Sequence, residues 1–211
     1  MDGEEATVSP GRPVRVDGRR ARTIRTHAAL VDAVISLQEA GHLKPTAQQI
    51  ARRAGTSVRS IFQHFNDQDS LTNAVMDELA RRNAALAYAV PTDRPLQERL
   101  AAFVNARSER LERLAPHRRA ANLLEPLSPA IAARRADLRQ RRRDEVEAAF
   151  LPELQNLPPR RRRELVIALA LIAEGETWEG LRRHSGLNVA ESRRILRHML
   201  ERLLIDRQRG P

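Results

Sequence analysis

The sequence predicts an all-α protein. Apolar residues recur at three- and four-residue spacings through most of its length, and helix-start signals repeat along it. No stretch alternates apolar and polar residues as a half-buried strand does. The 211 residues allow one large domain or two modest ones, on a scale of about 100 to 200 residues per domain. A hydrophobic share of 41% against 30% charged residues suits a globular chain rather than a disordered one. There is no cysteine, which removes disulfide scaffolds, cysteine nucleophiles and thiolate metal sites together. The longest apolar run, Leu165 to Ala173, falls well short of the roughly 20 residues that cross a bilayer. Acids stand near the N-terminus where a signal peptide has bases and then apolar residues. A cytoplasmic protein without a membrane segment is expected.

Residues 1–20 mix glycine, proline and charge without an apolar period, which predicts a flexible basic arm. From Ile24, the residues Ala28, Val31, Val34, Ile35 and Leu37 fall largely on one face of a first helix that ends at Gly41. Thr46 and Gln49 have capping-box spacing for a second helix that buries Ile50, Ala51 and Ala54 and stops at Gly55. Ser57 can cap a third, with Val58, Ile61, Phe62 and Phe65. Asn66 with Asp69 signals a fourth, through Leu71, Val75, Met76 and Leu79 towards Tyr88. Pro91 to Pro95 marks a boundary. Beyond it a helix runs from Leu96 to Pro116, a short one spans His117 to Glu125, and Ser128-Pro129 opens one reaching about Phe150. Pro158-Pro159 starts the most apolar helix, expected to continue through Trp178 to about His184. After Gly186, Asn188 and Glu191 box the start of the last. About nine helices are expected, with a unit at 21–82 and a second at 83–211.

Function is most legible in Thr46 to Phe65. Two short helices joined by a tight turn need a small residue at their close approach, a glycine to reverse the chain and apolar residues to lock them. Ala51, Gly55 and the set Ile50, Ala54, Ile61 and Phe65 meet those needs in order. This is a helix-turn-helix. Its outward residues are Val58, Arg59, Ser60, Gln63 and His64, and the window holds Arg52, Arg53 and Arg59 but no acid. Arginine bonds guanine edges bidentately, glutamine bonds adenine, and hydroxyls hold phosphates. Position matters more than total charge. The net +10 includes ten bases against three acids over residues 12–65, while the arginine runs 141–143 and 160–163 read as solvated helix ends or as a second surface for nucleic acid or an acidic partner. An ordinary helical hairpin with a polar face is the plainer alternative.

Residues from about Arg22 to Arg82 resemble the DNA-binding domain of the TetR family of transcriptional repressors. The matching positions are Thr46, Ile50-Ala51, Ala54-Gly55, Ser57, Ser60-Ile61-Phe62, His64-Phe65, Asp69 and Leu71. Phe62 and Gln68 depart from it, standing where a phosphate-binding tyrosine and a lysine are frequent. The resemblance implies that Thr46 and Ser57 hold phosphates and that Arg59, Ser60 and Gln63 face base edges. His64 either touches phosphate or packs beside Phe65. The remaining 120 or so residues resemble the family only in layout, a helical effector-binding and dimerisation domain. It implies a double-stranded DNA operator, a small-molecule effector and a homodimer as partners. Leu165, Leu169, Ile172, Leu196, Met199 and Leu203 offer the dimer surface. Phe103, Leu124, Phe150 and Trp178 are candidate effector walls, with Arg107 or Glu125 as polar anchors. Low aromatic content favours a compact or lipid-like effector. An enzyme or a protein-interaction adaptor is the competing class. No His-Glu-x-x-His pair, glycine-rich phosphate loop or nucleophile elbow occurs. His184 and His198 lack a third ligand, so neither cofactor nor metal is expected.

Overall fold

A computed structural model describes residues 18–84, 90 and 92–206. All secondary structure among these residues is helical. The first unit contains α1 (Gly18–Glu39), α2 (Ala47–Arg53), α3 (Val58–His64) and α4 (Gln68–Arg82). Their buried faces share one apolar cluster, in which Leu30, Val31, Val34 and Ile35 of α1 meet Ile50, Ile61, Phe65, Leu71 and Val75. α1 starts six residues ahead of Ile24, so Gly18 to Arg20 belong to a helix rather than to the expected arm; residues 1–17 lie outside the described part. Arginine is a good helix former and needs no apolar face to extend a helix. That is why the extra turn leaves no periodic signature. Ile24 is 59% exposed, and the buried face begins at Leu30 instead. The cap of α4 is also one residue further on. Asp67, not Asn66, accepts from the Ser70 backbone at 2.7 Å. Tyr88 lies outside the described residues.

The second unit contains α5 (Leu96–Arg113), α6 (Ala115–Leu124), a 3-10 turn (Glu125–Leu127), α7 (Pro129–Ala149), α8 (Leu151–Leu154) and α9 (Pro159–Ile172). It finishes with α10 (Gly175–Glu179), a π-helical turn (Gly180–His184) and α11 (Val189–Asp206). Its own cluster joins Leu100, Phe103 and Val104 to Phe150, Leu169, Trp178, Leu196 and Leu200. The helix expected from Pro158 to His184 is broken. Ala173 and Glu174 interrupt it and Gly175 restarts it, with the Arg118 side chain packed where a Cβ on Gly175 would stand. Ser185 N–H then reaches Gly180 O at 2.9 Å, the wide i to i+5 ring of a π turn. Apolar periodicity runs straight through both breaks, so it could not reveal them.

The two units meet where α6 lies on α1 and α7 on α4. His117 Nδ1 lies 2.7 Å from the amide oxygen of Gln38, both side chains being buried. Ser128 Oγ caps α7 by accepting from Ile131 N–H at 3.2 Å and donates to Asp69 Oδ2 at 2.6 Å. Arg134 pairs with Asp77. One hydroxyl therefore both starts α7 and fastens it to α4.

Candidate nucleic-acid interface

The turn between α2 and α3 is set by local chemistry. Thr46 Oγ1 accepts from Gln49 N–H at 3.3 Å while Thr46 N–H donates to Gln49 Oε1 at 2.8 Å, so two otherwise unpaired backbone donors at the start of α2 are each satisfied by the other residue's side-chain oxygen. Gly55 closes α2 at φ +64°, in the left-handed region where a side chain is strained. Thr56 N–H returns to Ala51 O at 3.0 Å. Ser57 Oγ then accepts from Ser60 N–H at 3.2 Å and starts α3. Buried Ile50, Ala51, Ile61 and Phe65 lock the pair against α1. What the sequence must leave outside is thereby fixed.

Arg59, Phe62 and Gln63 of α3 are exposed, as are Thr46 and Ser57 at the two helix starts. Ser60 and His64 are half-buried beside them. Val58 departs from its expected outward position, because it packs partly on the apolar cluster. His64 also packs, but its main ring neighbour is His27 of α1, at 6.1 Å edge-on; His27 in turn lies 4.7 Å from the Phe65 ring. The part played by His27 was hidden in the sequence, because its register follows from where α1 begins. Arg52 and Arg53 are both exposed, and Arg53 Nη2 donates a 2.5 Å hydrogen bond to Ser36 Oγ. Phe62, 67% exposed, adds an apolar ring to the outer surface of α3. Between Glu39 and Asp67 there is no acid. Beyond this stretch, Glu78 is held at about 2 by hydrogen bonds from Arg81 and Arg82, which also neutralise its charge. A cationic, acid-free face with a guanidinium, an amide and hydroxyls has the donors that phosphates and base edges require.

The six residues considered for an effector site do not line one cleft together. Phe103 and Phe150 are buried, with ring centroids 5.2 Å apart, and Trp178 is buried and donates from Nε1 to Glu112 Oε1 at 2.7 Å. All three are members of the packed cluster. Arg107 is a buried cation whose Nε donates to Ala173 O at 2.8 Å, capping the break after α9. Burial, reinforced by Arg110 and Arg142, pushes its pKa down to about 9, so it stays charged at neutral pH. Leu124 is half-buried. Of the six, Glu125 borders a cleft of about 570 Å³ between the end of α6, α7, α9 and α10. Arg142 and Arg143 also line it, so part of the 141–143 run faces a cavity rather than bulk solvent. His184 and His198 are both exposed.

No protein-family model matches the sequence, and comparison with curated proteins gives no match. The fold, in contrast, is shared with solved structures. A transcriptional regulator from Rhodococcus sp. Rha1 superposes with a TM-score of 0.65 at 18% identity, over 86% of this chain and 95% of that one. A protein from Pseudomonas aeruginosa PAO1, described as a proposed transcriptional regulator, superposes at 0.64 and 18% identity, over 93% and 97%. The chain thus has the all-α fold of these regulators across both of its units.

Proposed function

We propose that the protein is a sequence-specific, DNA-binding transcriptional regulator of the TetR type: a repressor that binds a palindromic operator as a homodimer and is released by a small-molecule effector. The observation that carries this reading is the acid-free helix-turn-helix face, where Arg59 and Gln63 stand exposed on a helix locked by Ile61 and Phe65. Thr46 and Ser57 lie at its edge as phosphate donors. The regulator fold shared along nearly the whole chain supports it.

Release requires an effector that binds the DNA-incompetent arrangement more tightly than the competent one, since equal affinity shifts nothing. The cleft is our candidate for the site that exerts that preference. Glu125 lines it and opens the 3-10 turn Glu125–Leu127, and the next residue, Ser128, is the one bonded to Asp69 of the DNA-binding unit. A ligand that moves Glu125 would act through this turn on the Ser128 to Asp69 bond. Band-shift titration with the DNA upstream of the protein's own gene tests the reading. A complex that survives physiological salt and excess competitor DNA is expected. Weak binding that fades equally for every sequence as salt rises would point to an adaptor or an enzyme with a basic surface.

A further inference from the structure

The cleft has a chemistry of its own. One wall is α7, which presents Arg135, Arg139, Arg142 and Arg143 at i, i+4, i+7 and i+8. The opposite wall is apolar, formed by Ile167, Ala170 and Leu171 of α9, and Leu171 is 62% exposed. Three acids, Glu125, Glu174 and Glu176, complete the charged lining. Arg139 Nη1 bonds Glu125 at 2.9 Å and Arg142 Nη1 bonds Glu174 at 2.5 Å. One of the guanidiniums, that of Arg143, has no carboxylate partner among the described residues. Arg143 donates from Nε and Nη2 only to the neutral amide oxygen of Gln140, at 3.1 and 2.5 Å. Arg135, in contrast, is ion-paired, with Nε 2.6 Å from Glu125 Oε2 and Nη2 4.0 Å from Glu176 Oε1, and it shares Glu125 with Arg139.

We propose that this cleft binds a singly charged organic carboxylate with an aliphatic body, its head group on Arg143, Arg139 and Arg135 and its chain along Ile167, Ala170 and Leu171. Four guanidiniums against three carboxylates leave one positive charge, which a monoanion neutralises and a dianion overfills. A carboxylate accepts from Arg143 more strongly than the Gln140 amide does, because charge-assisted hydrogen bonds are about twice as strong as neutral ones. The volume, about 570 Å³, lies within the roughly 300 to 1,000 Å³ of small-molecule sites. This inference rests on the effector reading above for its biological purpose, but the site can be tested without DNA.

The probe is octanoate, titrated into the full chain by calorimetry, with octanol and octylamine as controls of the same length. Trp178, the only tryptophan, gives a second readout, since its neighbours Glu176 and Thr177 line the cleft. Octanoate is expected to bind at one site and change Trp178 emission, at least tenfold more tightly than octanol or octylamine. Hexanoate should bind more weakly, by about two- to fourfold per methylene removed. Arg143→Gln should cost tenfold or more in octanoate affinity; its side chain makes no ion pair among the described residues, so folding is preserved. Arg139→Gln should weaken binding as well. Octanol binding as tightly as octanoate, octanoate not binding, or both variants binding as the parent does would overturn the proposal. Operator release is measured separately by band shift: octanoate bound in the cleft with the operator still held would support the site and refute the effector reading alone.

Discussion

Arg59 carries the sharpest expectation at the scale of the residue. It is exposed and projects from a helix whose other face is locked, so truncating it changes recognition without touching the core. Arg59→Ala should cost about 1 to 3 kcal/mol of specific binding, the worth of one bidentate base contact. Fluorescence anisotropy with operator and scrambled DNA measures it, and equal affinity for the operator before and after the change would remove Arg59 from the readout. His117 gives a second expectation. Burial pushes its pKa below the ordinary imidazole value, and the opposing pull of Glu39, 3.7 Å from Nε2, is smaller. The folded state therefore favours neutral His117, while the unfolded chain takes up a proton near pH 6.5. Stability from this site is present above that pH and falls as the pH drops from there towards the folded value, because the unfolded state then binds more protons. His117→Gln should flatten the loss of melting temperature between pH 7.5 and 5. Parallel curves for parent and variant would show that folding leaves the His117 pKa unshifted. Sequence reading found Arg59, because polarity on an outward face is local information. It could not find the His117 to Gln38 contact, which joins residues from different units.

At the scale of the element, the caps were the most legible feature. Thr46 with Gln49, Ser57, Ser128 and Asn188 with Glu191 all act where the spacing placed them, since a cap satisfies donors within three residues and needs no tertiary partner. The break after α9 was not legible, because it depends on Arg118 crossing Gly175 and on Arg107 reaching Ala173 O from another helix. Ser128 joins the local and the tertiary contributions. Ser128→Ala removes the cap of a 21-residue helix and the hydrogen bond to Asp69 together, and should destabilise the chain by about 0.5 to 2 kcal/mol from the cap alone. Chemical denaturation of Ser128→Ala beside Asp69→Asn separates the two contributions. Equal stability of Ser128→Ala and the parent would mean that the cap is replaced by solvent. In the helix-turn-helix, Gly55→Ala should cost about 1 to 2 kcal/mol through the left-handed backbone, and a variant as stable as the parent would show the turn relaxing.

At the scale of the whole molecule, the dimer and its two-fold operator remain proposals that the packing makes specific. Leu169 and Leu196, offered by the sequence as dimer surface, complete the core of one subunit. Periodicity alone cannot tell a face turned to its own core from one turned to a partner. Leu165 and Ile172 of α9 and Met199 and Leu203 of α11 are only partly buried against that core. They supply adjacent apolar stripes that a second copy would cover as a four-helix bundle. Sedimentation equilibrium at micromolar concentration should give twice the 23.8 kDa chain mass; a single 23.8 kDa species would exclude the dimer. In the proposed dimer, two copies of α3 would meet one face of DNA in successive major grooves about 34 Å apart. The measurement that tests sequence-specific recognition most directly is selection of bound duplexes from a random library by the full chain at physiological salt, followed by sequencing. An inverted repeat with half-sites about one helical turn apart, lost when Arg59→Ala replaces the parent, is the expected result. A library that emerges as random as it entered would contradict it.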